Sequence, residues 1–104
     1  MGYVYLIKDI DKNVYKIGVT RKKDSRRLKQ LQTGNSGELE LINIFETKYP
    51  FRLEQMLHKH FEGSHLHGEL FTIEKPEDFE SICKIYQNRI ESLLDNPYFN
   101  INLR

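Results

Sequence analysis

Two short apolar segments near the start of the chain restrict its fold more than any other feature. Residues 3–8, YVYLIK, are almost wholly apolar, aromatic or β-branched, and predict a strand buried on both faces. Turn-forming residues at 9–13 lead to a second predicted strand, Val14 to Val19, which pairs back on the first as a hairpin. Gly18 lies inside this second strand, where a missing side chain usually marks a bulge or the close approach of another group.

The rest of the chain predicts helices packed against a small sheet. The first expected element is a short helix capped by Asp24 or Ser25 and running to about Gln32, and a strand from Leu39 to Thr47 follows it. A second helix is expected to begin near Pro50 and to end at Gly63. A short extended piece within 69–73 and a last helix that begins at Pro76 complete the chain. The expected fold class is therefore α/β, of the α+β kind. It has a small, mostly antiparallel three-stranded sheet flanked by helices, in the order β-β-α-β-α-(β)-α.

Two of these helices carry apolar stripes at helical spacing, which indicate the faces that they bury. In the helix near Pro50 the stripe consists of Phe51, Leu53, Met56, Leu57, His60 and Phe61. In the last helix it consists of Phe79, Ile82, Cys83, Tyr86, Ile90, Leu93 and Leu94. A chain of 104 residues has room for one hydrophobic core, so a single domain over 1–104 is expected.

Cysteine usage and hydropathy indicate a reducing, aqueous environment. Cys83 is the only cysteine, so no intramolecular disulfide can form. The first residues, MGYVYLIKD, lack the basic start and small-residue cleavage site of a signal peptide, and no apolar run reaches the roughly 18 residues that cross a membrane. We therefore expect no membrane association and a cytoplasmic location, or a nuclear one in a eukaryotic host.

Charge is unevenly distributed although the net formal charge is only +1. Residues 16–29 contain seven bases and one acid, a net of +6, whereas residues 69–95 contain seven acids and three bases, a net of −4. The basic segment is a candidate phosphate-binding surface, and a run this short is about as often a merely solvated surface. The candidate nucleic-acid-binding residues are Arg21, Lys22, Lys23, Arg26 and Lys29.

Four short motifs in order resemble those of the GIY-YIG nuclease superfamily. They are VYLIK at 4–8, YKIGVT at 15–20, RRL at 26–28 and LEQMLHKHF at 53–61. The likeness is closest to a branch common in phages and large viruses, whose members carry YKIG, an E-x-x-x-H helix and a Gly-Glu-aromatic-Phe segment, here GELF at 68–71. The resemblance covers residues 3–73 and leaves out the helix and tail at 76–104. It implies a metal-dependent endonuclease that hydrolyses phosphodiester bonds.

The resemblance implies that Tyr5 is the general base or the group that orients the attacking water. A phenol with an ordinary pKa of about 10 is a weak base at neutral pH, so neighbouring cations or a metal-bound water would have to assist it. Lys16 stands where the superfamily has a second tyrosine. It could lower the pKa of Tyr5, hold a phosphate, or mark weakened catalysis. The alternative for Tyr5 is packing on a strand face, the role expected of Tyr3 on the same face and of Tyr15 on the opposite one.

Three further residues match superfamily positions. Arg27 matches the arginine that faces the scissile phosphate, with Arg26 as its alternative and a solvated arginine as the other interpretation. Glu54 matches the metal-binding glutamate and would hold a single Mg²⁺ or Mn²⁺, the remaining positions being filled by water and phosphate. A salt bridge to Arg27 or Lys16 is the alternative for Glu54. His58 would contact phosphate or protonate the leaving group, and a hydrogen bond to nearby backbone is its alternative.

Two other groups of side chains are not assigned to the site. His58, His60, His65 and His67 lie within ten residues, but their spacing does not match a common structural zinc site, so no zinc is expected. Asn100 and Asn102 could match an asparagine that often follows the glutamate helix in the superfamily. A whole additional helix separates them from Glu54, so neither is assigned.

Three functions follow from these observations. The first is a metal-dependent endonuclease acting on nucleic acid, with DNA favoured as the partner. The second is a nucleic-acid-binding module of the same fold that no longer cuts, and the third is a protein-interaction domain whose acidic last helix is the working surface. Binding to nucleic acid predicts affinity that falls steeply with salt, whereas the third function does not. A single small domain should be weakly specific, or should gain specificity as a homodimer or with a partner protein.

Overall fold

The computed structural model describes residues 1–23, 26–34, 37–68 and 70–95. The helix cap predicted at Asp24 or Ser25 lies outside the described residues, as do Asn100 and Asn102. No helix within the described ranges is both long enough and apolar enough to cross a membrane.

Within these ranges the chain forms every predicted element. Its sheet has four strands, one more than the three predicted. The strands are β1 (Gly2–Asp9), β2 (Val14–Thr20), β3 (Leu39–Thr47) and β4 (Leu70–Phe71), and the helices are α1 (Arg26–Thr33), α2 (Pro50–His60) and α3 (Phe79–Leu94). Short 3₁₀ turns at Glu62–Ser64 and Pro76–Asp78 adjoin α2 and α3. The predictions that α2 extends to Gly63 and that the last α-helix begins at Pro76 were wrong, because tighter 3₁₀ turns form there, as is frequent at helix ends.

The sheet is antiparallel throughout, with the strand order β3-β1-β2-β4. This confirms the predicted antiparallel sheet and corrects its size, because Leu70 and Phe71 pair with Lys16 and Tyr15 to add a fourth strand. Strand β1 is central, flanked by β2 and β3. A central strand covered on both faces has no solvated side, which accounts for the apolar run at 3–8.

The main core lies between one face of the sheet and the helices α2 and α3. Its buried side chains are Val4, Leu6, Tyr15, Ile17 and Phe71 from the strands and Leu53, Leu57, Phe79, Cys83 and Ile90 from the helices. Because side chains alternate along a strand, Tyr5, Ile7 and Lys16 lie on the opposite face. Helix α1 packs against β3 and borders a cavity on that face.

The prediction that Phe51 belongs to the buried stripe of α2 was wrong, because this side chain is 62% exposed. Leu53 and Leu57 are fully buried and mark the direction in which α2 faces the core. At about 100° per residue, Phe51 lies roughly 140° around the helix from the midpoint of these two leucines. The ring therefore points away from the core.

Two other side chains predicted to face inward also lie at the surface. His60 is exposed at the last residue of α2, where its Nδ1 is 2.7 Å from the hydroxyl oxygen of Tyr86. Leu93 is 42% exposed in the last turn of α3, on the margin of the helix stripe. Both stand in the last turn of their helix.

Candidate functional site

The hairpin brings the Tyr5 ring directly onto the backbone of Gly18. The register of β1 and β2 places these two residues opposite each other. A Cβ atom on Gly18 would lie 3.0 Å from Cε2 of Tyr5 and closer still to its Cζ and phenol oxygen. Of the two alternatives predicted at Gly18, a bulge or a close approach, the structure shows the close approach, because no residue with a side chain could occupy this position without displacing the tyrosine.

Tyr5 is also closed off from solvent, with only 1% of its surface exposed. Its ring is held between Gly18 and the residues that cover this face of the sheet. A substrate can therefore reach the phenol oxygen only if some of the covering side chains move. Burial and the contact with Gly18 leave the ring little room to turn.

Lys16 lies on the same face as Tyr5, two residues before Gly18, and is half-buried. It borders a cavity of about 400 Å³ between α1 and the hairpin, together with apolar side chains such as Ile7 and Leu31 and with His67 at the rim. The ammonium group is thus placed on the Tyr5 side of the sheet, beside open space. Sequence reasoning missed this cavity, because residues far apart in the chain form its walls.

Tyr15 and Tyr3 both have packing partners. Tyr15 lies on the core face, only 5% exposed, as its position one residue before Lys16 predicted. Tyr3 lies opposite Glu46 of β3. A hydrogen bond to the Glu46 carboxylate, followed by some desolvation, raises the pKa of Tyr3 above its ordinary value. The cause is that the phenol proton is shared with a group that would be repelled by the phenolate.

His58 links helix α2 to the edge of β2. Its Nε2 atom is 3.0 Å from the carbonyl oxygen of Ile17. Since a carbonyl can only accept, Nε2 must carry the proton in this bond. The ring also meets Phe71 edge-on, with a centroid distance of 4.9 Å. This is the backbone hydrogen bond considered as the alternative role for His58, and it leaves Nδ1 as the ring atom available for other chemistry.

Glu54 is half-buried one helical turn before His58 and therefore lies on the same flank of α2. The bond from His58 to Ile17 orients this flank along β2, the strand that carries Gly18. The first turn of α2 lies near the C-terminal end of β2, because Pro50 lines a cavity together with Thr20. Helix α2 itself packs on the core face of the sheet, whereas the Tyr5 ring lies on the opposite face against Gly18. Glu54 is therefore carried by an element on the other side of the sheet from the Tyr5 ring.

The predicted basic residues surround this region. Arg21, Lys22 and Lys23 follow β2 directly and are exposed, as is Lys29 on α1. Arg26 and Arg27 begin α1, whose backbone packs on the Tyr5 side of the sheet, and their side chains lie outside the described residues. The described basic side chains are free to meet an anionic polymer at the surface.

Glu54 is the residue of the candidate site that could ligate a metal ion. Within the described ranges no group of three or more His, Cys, Asp or Glu side chains is placed to hold a metal ion. The histidines near Glu54 instead make separate local contacts; for example, Nε2 of His65 is 2.8 Å from the carbonyl oxygen of Gly68. Mg²⁺ is commonly bound through one or two carboxylates, with water and substrate phosphate completing its shell. A single carboxylate such as Glu54 would need water and substrate phosphate to complete the shell of such an ion.

The fold and the family comparison together are consistent with a nuclease-like or nucleic-acid-interacting module. The chain belongs to the T5orf172 domain family, whose model matches residues 2–91. This phage-associated domain is related to the GIY-YIG/HNH-like endonuclease fold. The match extends beyond the predicted limit at residue 73 and includes most of α3. No curated protein and no solved structure matches the chain.

Proposed function

We propose that the protein is a metal-dependent endonuclease that hydrolyses phosphodiester bonds, with DNA as the favoured substrate. The observation that carries the proposal is the seating of Tyr5 on Gly18 in a chain of this family. Packing alone needs no hydroxyl at this position, since a phenylalanine would fill the same space. Because the Tyr5 ring is held against Gly18, its phenol oxygen points in a fixed direction.

Each residue of the candidate site has a role that follows from its chemistry. Tyr5 orients the attacking water or accepts its proton, and Lys16, on the same face, supplies positive charge to the phosphate. Arg27 opens the helix on this side of the sheet, and a guanidinium there can hold two phosphate oxygens together. His58 keeps the Glu54 flank of α2 against β2 through its bond to Ile17.

Glu54 would hold the divalent ion, Mg²⁺ or Mn²⁺. When bound, such an ion stabilises negative charge on the phosphate and the leaving oxygen. A carboxylate suits this task on a flank that adjoins exposed basic residues, because the same region attracts the phosphate backbone. Specificity beyond a short contact would come from a homodimer or a partner protein.

The test is nicking of supercoiled plasmid at low salt with Mg²⁺, with Mn²⁺ and with EDTA. Tyr5→Phe removes the hydroxyl while keeping the ring on Gly18, and we expect it to slow nicking by about 10²-fold or more. Glu54→Gln keeps the shape of the side chain and should abolish metal-dependent nicking. Glu91→Gln, at an exposed position on α3, is the matched control and should leave the rate unchanged.

Each outcome separates the competing functions. Metal-dependent nicking that both site variants lose supports the endonuclease. A salt-sensitive gel shift without nicking in any metal supports a module that binds and does not cut, with Lys16 in place of the second tyrosine as the reason. Absence of both cutting and binding on plasmid, branched DNA and RNA would leave a protein partner as the remaining function.

A further inference from the structure

An exposed aromatic ring stands at the start of α2. Phe51 is 62% exposed and lines a cavity of about 360 Å³ at the edge of β2. The other residues that line it include Met1, Pro50, Thr20 and Arg21. Leaving a phenylalanine in water forgoes the stabilisation that its burial would give. A ligand that covers the Phe51 ring would therefore gain this stabilisation.

The backbone under this ring is held firmly. Pro50 packs so closely on β1 that a Cβ added to Gly2 would lie 2.8 Å from its Cγ. Two residues after Phe51, the fully buried Leu53 donates its backbone N–H to the carbonyl of Tyr49 at 2.9 Å. An aromatic ring on such a rigid base loses little conformational entropy when it binds, because only its own two side-chain torsions need to be ordered.

The charges beside the ring select an anionic ligand. Arg21 lines the same cavity, and Lys22 and Lys23 follow it, all three exposed. An exposed ring with adjacent cations is the combination by which proteins bind single-stranded nucleic acid: the bases stack on the ring and the phosphates meet the basic side chains. An apolar protein partner would gain nothing from Arg21 in the cavity lining and two further exposed cations that follow it in the chain.

The ring also lies in line with the candidate site. Phe51, Glu54 and His58 follow the spacing i, i+3, i+7 and so form one stripe along the same flank of α2. At 1.5 Å per residue, Phe51 precedes Glu54 by about 4.5 Å along the helix axis. Stacked nucleotides are spaced about 3.4 Å apart, so a base on Phe51 would lie roughly one or two nucleotides from a phosphate near Glu54.

We propose that Phe51 is a stacking platform for an unpaired base of single-stranded DNA, next to the position at which the strand is cut. The inference rests on the proposed function, because it uses the same flank of α2. It names the substrate class more narrowly: DNA with an unpaired nucleotide beside the cleavage position. A fully paired duplex keeps its bases stacked on one another and cannot offer one to the ring.

The experiment measures binding by fluorescence anisotropy in EDTA, so that the readout does not depend on cutting. The probes are labelled single-stranded DNA of about 12 nucleotides and the blunt duplex of the same sequence. We expect Phe51→Ala to weaken single-strand binding about tenfold, equivalent to ~1.4 kcal/mol, and duplex binding by less than about twofold. Phe51→Trp should restore single-strand affinity, because it restores the ring.

Ile85→Ala is the matched control, since Ile85 is a 53% exposed apolar side chain on α3. It should change neither affinity. Unchanged single-strand binding in Phe51→Ala, or an equal loss on both probes, overturns the inference. If the ring effect is present but plasmid nicking is absent, Phe51 stands as a stacking platform, whereas the nuclease proposal and the place of the ring beside a cleavage position both fail. If nicking is present without a ring effect, the nuclease stands and the platform fails.

Discussion

Replacing Gly18 with alanine should destabilise the protein through one identifiable contact. The new methyl carbon would lie 3.0 Å from Cε2 of Tyr5 and closer still to the end of the ring. Tyr5 is 1% exposed, so its ring has no solvent into which it can swing. Either the ring must leave its rotamer or the two central strands must separate, and each movement disturbs the face on which the candidate site is built.

The expected cost follows from two opposing effects. Overpacking a filled interior costs roughly 1–3 kcal/mol. Alanine also restricts the unfolded chain relative to glycine, which offsets about 0.4–1 kcal/mol. We therefore expect Gly18→Ala to lower the free energy of unfolding by about 1–2 kcal/mol. With a urea slope of about 1–3 kcal/mol per molar for a small protein, the unfolding midpoint should fall by roughly 1 M.

The assay is urea unfolding followed by far-ultraviolet circular dichroism. Gly63→Ala serves as the control, because no heavy atom outside its immediate chain neighbours lies within 4 Å of a Cβ at that position. A double-mutant cycle with Tyr5→Leu isolates the contact: the smaller side chain removes the ring that the new methyl meets. The two substitutions should then be non-additive by about 1 kcal/mol or more.

Two results would refute this reasoning. One is a Gly18→Ala variant whose free energy of unfolding lies within about 0.5 kcal/mol of the wild type. The other is strict additivity with Tyr5→Leu. Loss of nicking in Gly18→Ala with stability retained would show that the glycine serves the reaction and not the seating of the ring.

Two further predictions concern His58 and Cys83. Replacing His58 with leucine should lower the free energy of unfolding in urea by about 1 kcal/mol more than replacing it with glutamine. The reason is that only glutamine can still donate a hydrogen bond to the Ile17 carbonyl. Equal losses in the two variants would contradict this bond. Burial raises the pKa of the Cys83 thiol to about 12, so Ellman's reagent at pH 8 should label it only after unfolding. The stability linked to this protonated thiol is complete below its ordinary pKa of 9.0 and is lost as pH rises toward about 12. Cys83→Ala should therefore lose less stability than the wild type over that pH range. Parallel curves of unfolding free energy against pH for the two proteins would contradict this expectation.

Local patterns predicted most of the fold. The bounds of β3, Leu39–Thr47, agree with the prediction, and the hairpin strands differ by only one residue at some ends. These elements could be predicted because the spacing of apolar residues along a short segment is set by the repeat of that segment alone. Strand β4 has only two residues, too few to show a repeat. Its pairing with β2 depends on a neighbour more than fifty positions away in the chain.

The candidate site divides in a similar way. The opposite faces of Tyr15 and Lys16, and the close approach at Gly18, followed from strand alternation and from the missing side chain. The bond from His58 to Ile17 and the exposure of Phe51 did not. The bond depends on how α2 is placed against the sheet, which no spacing within the helix reveals. The exposure of Phe51 follows from the helical repeat only once Leu53 and Leu57 are known to mark the buried face.

The sequence by itself determined which segments become strands and helices, which residues match the superfamily motifs, and where positive charge accumulates. Each of these is a property of near neighbours in the chain. Only the tertiary structure decided that the Tyr5 ring rests on Gly18, that the start of α2 borders a cavity with the end of β2, and that Lys16 borders another cavity. These contacts join residues distant in the chain, and their geometry is set by strand register and helix packing, which arise only when the whole core assembles.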